Sequence, residues 1–249
     1  MSMEKAVEQT VASGLSGLIF TDHLDINTPT GDTRFMFDPK AQQQNIDKLK
    51  EHYEIEILKG IEVGLQPHTL DAVSEFVNGH KFDTIIASVH FIDRIDPYRG
   101  PYYLDKDLKS AYGRYLETIY FCISQFKNFD VLGHFDYITR YAPYKEKAIL
   151  YSKFPEILDQ ILIFLAREGK ALEINTNTYR ERNSLTPFLD INVLKRFKEV
   201  GGEVVTLGSD AHDAWRIGEK FKQYSELIKS CGFSHIAHYK NREACFTSI

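Results

Sequence analysis

The chain has 249 residues, 43% hydrophobic and 26% charged, with a formal net charge of -5 at neutral pH. That length can bury one large core, read as a single domain over residues 1–249, and the acidic balance supplies no cationic field to draw nucleic acid or an anionic membrane surface. Cys122, Cys231 and Cys245 show no CxxC and no paired spacing, which argues against a disulfide framework or a zinc knuckle; with no run near the ~20 apolar residues of a membrane span and no signal-peptide pattern, a soluble cytoplasmic protein is expected.

In chain order, residues 3–13 read as a helix with Ala6, Val7, Thr10 and Val11 on one face, stopped by Gly14. A first strand is expected at 18–21, followed by a polar loop over 24–37 with Pro29 and Gly31. Asp38 then caps a helix that begins at Pro39 and carries Ile46, Leu49 and Tyr53 at helical spacing. A second strand follows over 54–64, a short helix over 69–78 with Gly79 at its end, and a third strand over 82–89. The loop over 91–104 is long for a compact domain and rich in Pro, Tyr and Arg, as functional loops often are. Asp105 is read as opening the strongest helix, whose stripe runs through Leu108, Ala111, Tyr112, Tyr115, Ile119, Cys122, Ile123 and Phe126. Strand four (129–133), a loop (136–147), a helix (155–168) closed by Gly169 and strand five (171–176) come next, and Arg180, Arg182 and Pro187 lie in the loop beyond. Asp190 caps a helix ending at Gly201-Gly202, which leads into a strand at 204–207, a last helix near 215–231 and a tail strand near 235–239. Strands alternating with helices, without hairpin patterns, indicate a mostly parallel sheet.

The strands share one grammar: each apolar run ends in a histidine or an acid. Thr21-Asp22-His23, Glu62, His90, His134, Glu173 and Ser209-Asp210-Ala211-His212 all follow β-type runs. Only a closed ring brings so many strand ends to one place, which favours a barrel over an open doubly wound sheet, and no GxGxxG turn argues for the latter. Imidazole and carboxylate without thiolate suit Zn, Mn or Fe(II), and His23, Glu62, His90, His134, Asp210 and His212 form the candidate ligand set. Glu173 reads as equally a neighbouring support, and Asn175 as an orienter of a ligand or a loop. His52, His68, His80, His235 and His238 read as solvated or structural.

Thr21-Asp22-His23, Gly60-Ile61-Glu62, Ser88-Val89-His90-Phe91, Gly133-His134-Phe135-Asp136, Glu173-Ile174-Asn175-Thr176 and Gly208-Ser209-Asp210-Ala211-His212, taken in order, resemble the successive motifs of the polymerase-and-histidinol-phosphatase (PHP) family, and within it the histidinol-phosphate phosphatase branch. The resemblance runs from about residue 4 to the tail. It implies an α/β fold, a distorted TIM-like (β/α)7 barrel with up to three divalent metal ions (Zn, Fe or Mn). Glu62 would bridge two metals and Asp210 would complete the first site, His90 and His134 would join Glu62 on the second, and His23 and His212 would hold the third. Arg140 and Arg180 fall where this branch places phosphate-binding residues, and Asp22 or His212 would protonate the leaving group. The family pattern opens with a strand ending in His-x-His, followed by a further His, whereas this sequence starts at the helix after it. The implied barrel is therefore missing its first strand, with the Glu62, His90 and His134 site best preserved, fewer than three metals, low activity and exposed edges prone to association.

The implied activity is metal-assisted hydrolysis of a small phosphomonoester, L-histidinol phosphate to L-histidinol and phosphate, in histidine biosynthesis. Two other readings stay open: a phosphoesterase of the same family acting on nucleotides, and a truncated inactive relative serving as a scaffold. Neither a nucleic-acid partner nor a membrane is expected, and homo-oligomerisation is left open.

Overall fold

A computed structural model of the protein describes residues 1–33, 36–98, 100–182 and 184–249. The loops expected over 24–37 and 91–104 therefore each include residues outside the described set. Helix α1 (Met3–Ala12) precedes strand β1 (Gly17–Asp25), and α2 (Pro39–Lys50) precedes β2 (Glu56–Gly64). Then come α3 (Leu70–Asn78), β3 (Thr84–Ser88), α4 (Leu108–Gln125), β4 (Val131–Leu132), α5 (Pro155–Arg167) and β5 (Ala171–Asn175). The chain continues through α6 (Ile191–Glu199), β6 (Val205–Gly208), α7 (Phe221–Ser230), β7 (His235–Lys240) and β8 (Glu243–Ser248).

Among the described residues, eight strands form one sheet in the order β1 to β8, parallel up to β7 and antiparallel between β7 and β8. The expected α/β class and strand alternation hold. The sheet is curved but not closed, since among the described residues β1 is paired with β2 alone and β8 with β7 alone.

Local chemistry explains most boundaries. The Asp38 side chain accepts the Lys40 amide at 2.8 Å with Pro39 in the first turn of α2, as its sequence requires. The cap of α4 is Asp107, which accepts the Ser110 amide at 2.7 Å, and Asp105 stands outside the helix with φ 57°. The α4 stripe from Ala111 to Phe126 is buried as expected. The last helix is shorter than read, because Gly218 (φ 73°) and Lys220 (φ 64°) reverse the chain between a 3-10 turn at Ala214–Arg216 and α7.

Two further differences bear on architecture. Strand β1 extends to Asp25, four residues past the expected end, because its polar half keeps pairing with β2 through His23↔Glu62 and Asp25↔Gly64. The tail strand is one arm of a hairpin that the sequence reading lacked. Its turn places Asn241 (φ 51°) and Arg242 (φ 67°) in left-handed backbone without the glycine that usually marks such a turn.

The hairpin lies across the N-terminal ends of the strands. Tyr239 packs on Val131 and Ala171, Thr84 Oγ1 donates to the Tyr239 carbonyl at 3.0 Å, and the Arg242 amide donates to the Asp83 carbonyl at 2.9 Å. That end of the curved sheet is thus covered, and the C-terminal strand ends remain free to carry chemistry. The main core lies between the sheet and α3 to α7, and a smaller cluster of Val7, Ile46, Leu49 and Ile57 holds α1 and α2 on β1 and β2.

Ile123 of α4 is fully buried in the main core. Ile123→Ala is expected to lower unfolding free energy by about 2 to 5 kcal/mol, read from urea denaturation, with divalent-metal binding unchanged. A loss below about 1 kcal/mol would mean that the site collapses around the cavity.

Candidate active site

Period-two alternation decides which side chains of β1 reach the mouth of the curved sheet. His23 and Asp25 share one face. Asp22 lies on the other, where its Oδ2 accepts the Gln42 side-chain amide of α2 at 2.6 Å. The structure therefore does not bring Asp22 into the cluster, whereas His23, Glu62, His90, His134, Asp210 and His212 do converge.

Glu62 is the centre. Its Oε1 lies 2.7 Å from His134 Nε2 and 3.2 Å from His90 Nε2, and its Oε2 lies 3.4 Å from His23 Nε2. Three imidazoles from β1, the end of β3 and the end of β4 thus present the same ring nitrogen to one buried carboxylate. His212 Nε2 is 3.2 Å from Asp210 Oδ1, and the His212 ring stacks over His23 at 6.1 Å between centroids. β6 stops at Gly208 and Asp210 adopts φ 44°, so these two residues lie on a turn beyond the strand and not in extended backbone.

Among the described residues, three groups have donor atoms that all lie within 4.8 Å of one another: Glu62 with His90 and His134, His23 with Asp210 and His212, and His23 with Asp25 and His90. Imidazole nitrogen and carboxylate oxygen at such spacing fit a borderline divalent cation. Asp25 is the member the sequence reading missed. It sits two residues beyond His23, so drawing the strand to its full length would have found it.

Electrostatics binds the cluster together. Burial alone would lower the pKa of His90, but Asp25 and Glu62 outweigh it and push it well up. Burial would likewise raise Glu62 and Asp25, yet the imidazoles beside them hold both carboxyls well below their usual range. His212 is raised by its hydrogen bond to Asp210. Glu173 accepts the His134 amide at 2.8 Å and the Asn175 side-chain amide at 3.2 Å, and burial raises its pKa. Asp136, beside His134 in sequence, is pushed up to about 6 by burial and accepts the Tyr179 hydroxyl at 2.7 Å.

The two expected phosphate-binding arginines differ. Arg140 is buried and spends its guanidinium inside the protein, donating to Thr178 Oγ1, Asp210 Oδ2 and Asn175 Oδ1, each at 3.0 Å, over the face of Tyr137. Arg180 donates to Asn177 Oδ1 at 2.8 Å and pairs with Glu219 at 3.0 Å, while Arg182 donates to the Asn177 side chain at 3.0 Å. Burial lowers the pKa of both Arg180 and Arg182, and neighbouring arginines lower it further. Arg140, Arg180 and Arg182 thus stand together at one edge of the mouth, two of them paired with carboxylates. The remaining histidines stay apart, as expected: His80 bonds the Phe76 carbonyl at 2.8 Å, His235 faces Ser234, and His238 lies near Glu56. No helix among the described residues is long and apolar enough to cross a membrane.

A curved, mostly parallel sheet whose strand ends focus histidines and carboxylates on one mouth defines a barrel-derived α/β protein with a candidate metal centre. A family model described as the PHP domain matches residues 1–177, and the chain belongs to the PHP family. It is 35% identical over 238 residues to a histidinol-phosphatase of Lactococcus lactis subsp. lactis, covering 94% of this chain and 87% of the relative. It is 28% identical to a probable histidinol-phosphatase of Thermotoga maritima, over 94% of this chain and 88% of that one. Among solved structures it resembles the Lactococcus lactis histidinol phosphate phosphatase complexed with zinc, L-histidinol and phosphate, with a TM-score of 0.89 and 33% identity, covering 98% of this chain and 92% of that one. A likeness to an archaeal ribonuclease P structure, at TM-score 0.52 and 13% identity, reflects the fold alone.

The metal-free protein has a defined pH response. The stabilisation from Asp25 is complete above its ordinary value of 3.8 and is lost as pH falls through its depressed pKa. The stabilisation from His90 is complete below 6.5 and is lost as pH rises through its raised pKa. Thermal melts of chelator-treated protein should therefore show greatest stability between these two values, declining on the alkaline side. A melting temperature that climbs steadily from pH 6 to pH 9 would contradict this balance, taking about these bounds for the titration.

Proposed function

We propose that the protein is a metal-dependent phosphomonoesterase that hydrolyses L-histidinol phosphate to L-histidinol and phosphate. The observation that carries the reading is the convergence of three imidazole Nε2 atoms on Glu62 beside a cationic edge, in a chain whose relatives are named histidinol-phosphatase over nearly their whole length.

Glu62, His90 and His134 would hold zinc, the ion present in the Lactococcus lactis structure, and His23, Asp210 and His212 would hold a further cation. The donor set is also compatible with iron or manganese. When bound, such ions supply Lewis-acid charge to the phosphoryl oxygens and acidify water. The chain's own residues do the rest. Arg180 and Arg182 offer forked donors to the phosphoryl group, which enters as an anion against a half-buried cationic wall. Arg140 acts behind them by fixing Asp210 and Asn175. Phosphate-monoester hydrolysis is slow enough uncatalysed that the site must supply on the order of 20 kcal/mol. Charge placed in advance around the phosphoryl group is the largest source available.

Two roles compete for His212. It is positioned to ligate with His23 and Asp210, and of the two candidates for returning a proton to the leaving alkoxide it is the one at the mouth, since Asp22 faces α2. The same ring nitrogen cannot hold a cation and donate a proton, so at Nε2 the roles exclude each other. Zinc content of His212→Ala separates them: loss of one equivalent is the expected result and assigns a ligand. An unchanged content with kcat reduced about 10²- to 10⁴-fold would assign the proton donor instead.

Arg180→Ala is expected to raise KM for histidinol phosphate, or lower kcat, with zinc content intact, whereas His134→Ala should lose zinc. Unchanged kinetic constants in Arg180→Ala would remove it from substrate binding. The competing reading, a nucleotide phosphoesterase of the same fold, is tested by a panel in which kcat/KM for histidinol phosphate is compared with nucleoside monophosphates. Preference for the nucleotides would overturn the substrate assignment while leaving the metal centre in place.

A further inference from the structure

One carboxylate of the cluster has no role in the reaction as described. Asp25, at the end of β1, is 3% exposed, and its Oδ1 lies 3.0 Å from His90 Nδ1. Its Oδ2 lies 3.3 Å from the same nitrogen and 3.6 Å from His23 Nδ1. Glu62 meets both of these rings from the opposite side, at Nε2. The two imidazoles are thus held between two carboxylates, one behind each ring and one in front.

The backbone opposite Asp25 is adapted to this arrangement. Register pairs Asp25 with Gly64 of β2, and a Cβ built on Gly64 would stand 1.7 Å from Asp25 Oδ1 and 3.3 Å from His90 Nδ1. Any side chain at position 64 therefore displaces the carboxylate from the histidine. His134 provides the contrast to His90, because its Nδ1 is buried with no hydrogen-bond partner while its Nε2 also meets Glu62.

We propose that Asp25 is a positioning residue for His90: by accepting from its Nδ1 it leaves Nε2 facing Glu62, it adds a charge 3.6 Å from His23 Nδ1, and it can do so because residue 64 is glycine. The inference rests on the reading of the Glu62 cluster as a divalent-metal site. Asp25 is not itself placed as a ligand of that centre, since a cation shared with the Nδ1 atoms would lie behind the rings, away from Glu62 and His134. A carboxylate behind a ligating imidazole fixes tautomer and ring orientation and raises ligand basicity.

The test uses the full chain with three substitutions, Asp25→Ala, Asp25→Asn and Gly64→Ala, and two readouts besides turnover. Histidine-selective ¹⁵N spectra of the chelator-treated protein, at a pH where the rings are neutral, report which ring nitrogen carries the proton. Competition with a chromophoric chelator reports zinc affinity. Wild type should show His90 protonated at Nδ1. Asp25→Ala should lose that preference and bind zinc about 10- to 100-fold more weakly, leaving the His134 resonance unmoved. Asp25→Asn keeps the shape and one acceptor oxygen and should recover part of the loss. Gly64→Ala should reproduce Asp25→Ala although Asp25 is still present; if it does not fold, judged by far-ultraviolet circular dichroism, the Asp25→Asn comparison decides alone. Unchanged tautomer and affinity in Asp25→Ala would overturn the proposal, as would loss of a whole zinc equivalent with the His90 tautomer preserved, which would make Asp25 a ligand. Wild type that binds no zinc would defeat the metal-site reading itself, a distinct result that takes the proposal with it.

Discussion

A carboxylate buried among three imidazoles is the constraint on which the rest of this structure depends. Glu62 is nearly inaccessible, and a charge so placed is tolerated only if opposite charge and hydrogen bonds surround it. His23, His90 and His134 supply that surrounding from three different strands. The strands must therefore be adjacent, in register and curved toward one another, which the continuous parallel pairing of β1 to β4 achieves. A divalent cation would take over the compensating role and fix the same geometry.

The supports of the cluster come from elements with little chemistry of their own. The Glu173 carboxylate on β5 holds the backbone of His134, and Arg140 ties Asp210 to Asn175 and Thr178 across the loops after β4, β5 and β6. Gln42 of α2 reaches the outer face of β1 and binds Asp22, the Phe20 carbonyl and the Gly60 carbonyl. Polar satisfaction thus runs outward from the mouth to the helices. At the opposite end the β7–β8 hairpin covers the strand starts through Asp83, Thr84 and Tyr239, so the two ends of the curved sheet serve different purposes. In barrel-type folds the N-terminal end carries stability and the C-terminal end carries function, and here the hairpin lies at the first and the candidate site at the second.

Charge is distributed with equal economy. The chain is acidic overall, yet Arg140, Arg180 and Arg182 gather beside the carboxylates of the mouth. Their bonds to Asn177, Thr178 and Asp210 hold the guanidinium planes in fixed orientations at the mouth.

Much of this was legible in the residues. The alternation of strands and helices, the caps at Asp38 and Asp190, the buried stripe of α4 and the six strand-end histidines and carboxylates that converge were read from periodicity and residue type, because those signals are local and each is set within a few residues. The resemblance of the ordered motifs to a known family then pointed to the chemistry. What the sequence left undecided depended on partners distant in the chain. Strand β1 reaches Asp25 only because β2 pairs along its whole length, Asp22 is turned away only because Gln42 waits on α2, and Arg140 is committed to Asp210 by a contact across 70 positions. The hairpin turn at Asn241 and Arg242 carries no glycine and is held by Asp83, far away in sequence. Residue type and spacing determined which groups could act; only the tertiary structure decided which way each one faces, since orientation is set by the neighbour that satisfies a buried polar atom and not by the residue that bears it.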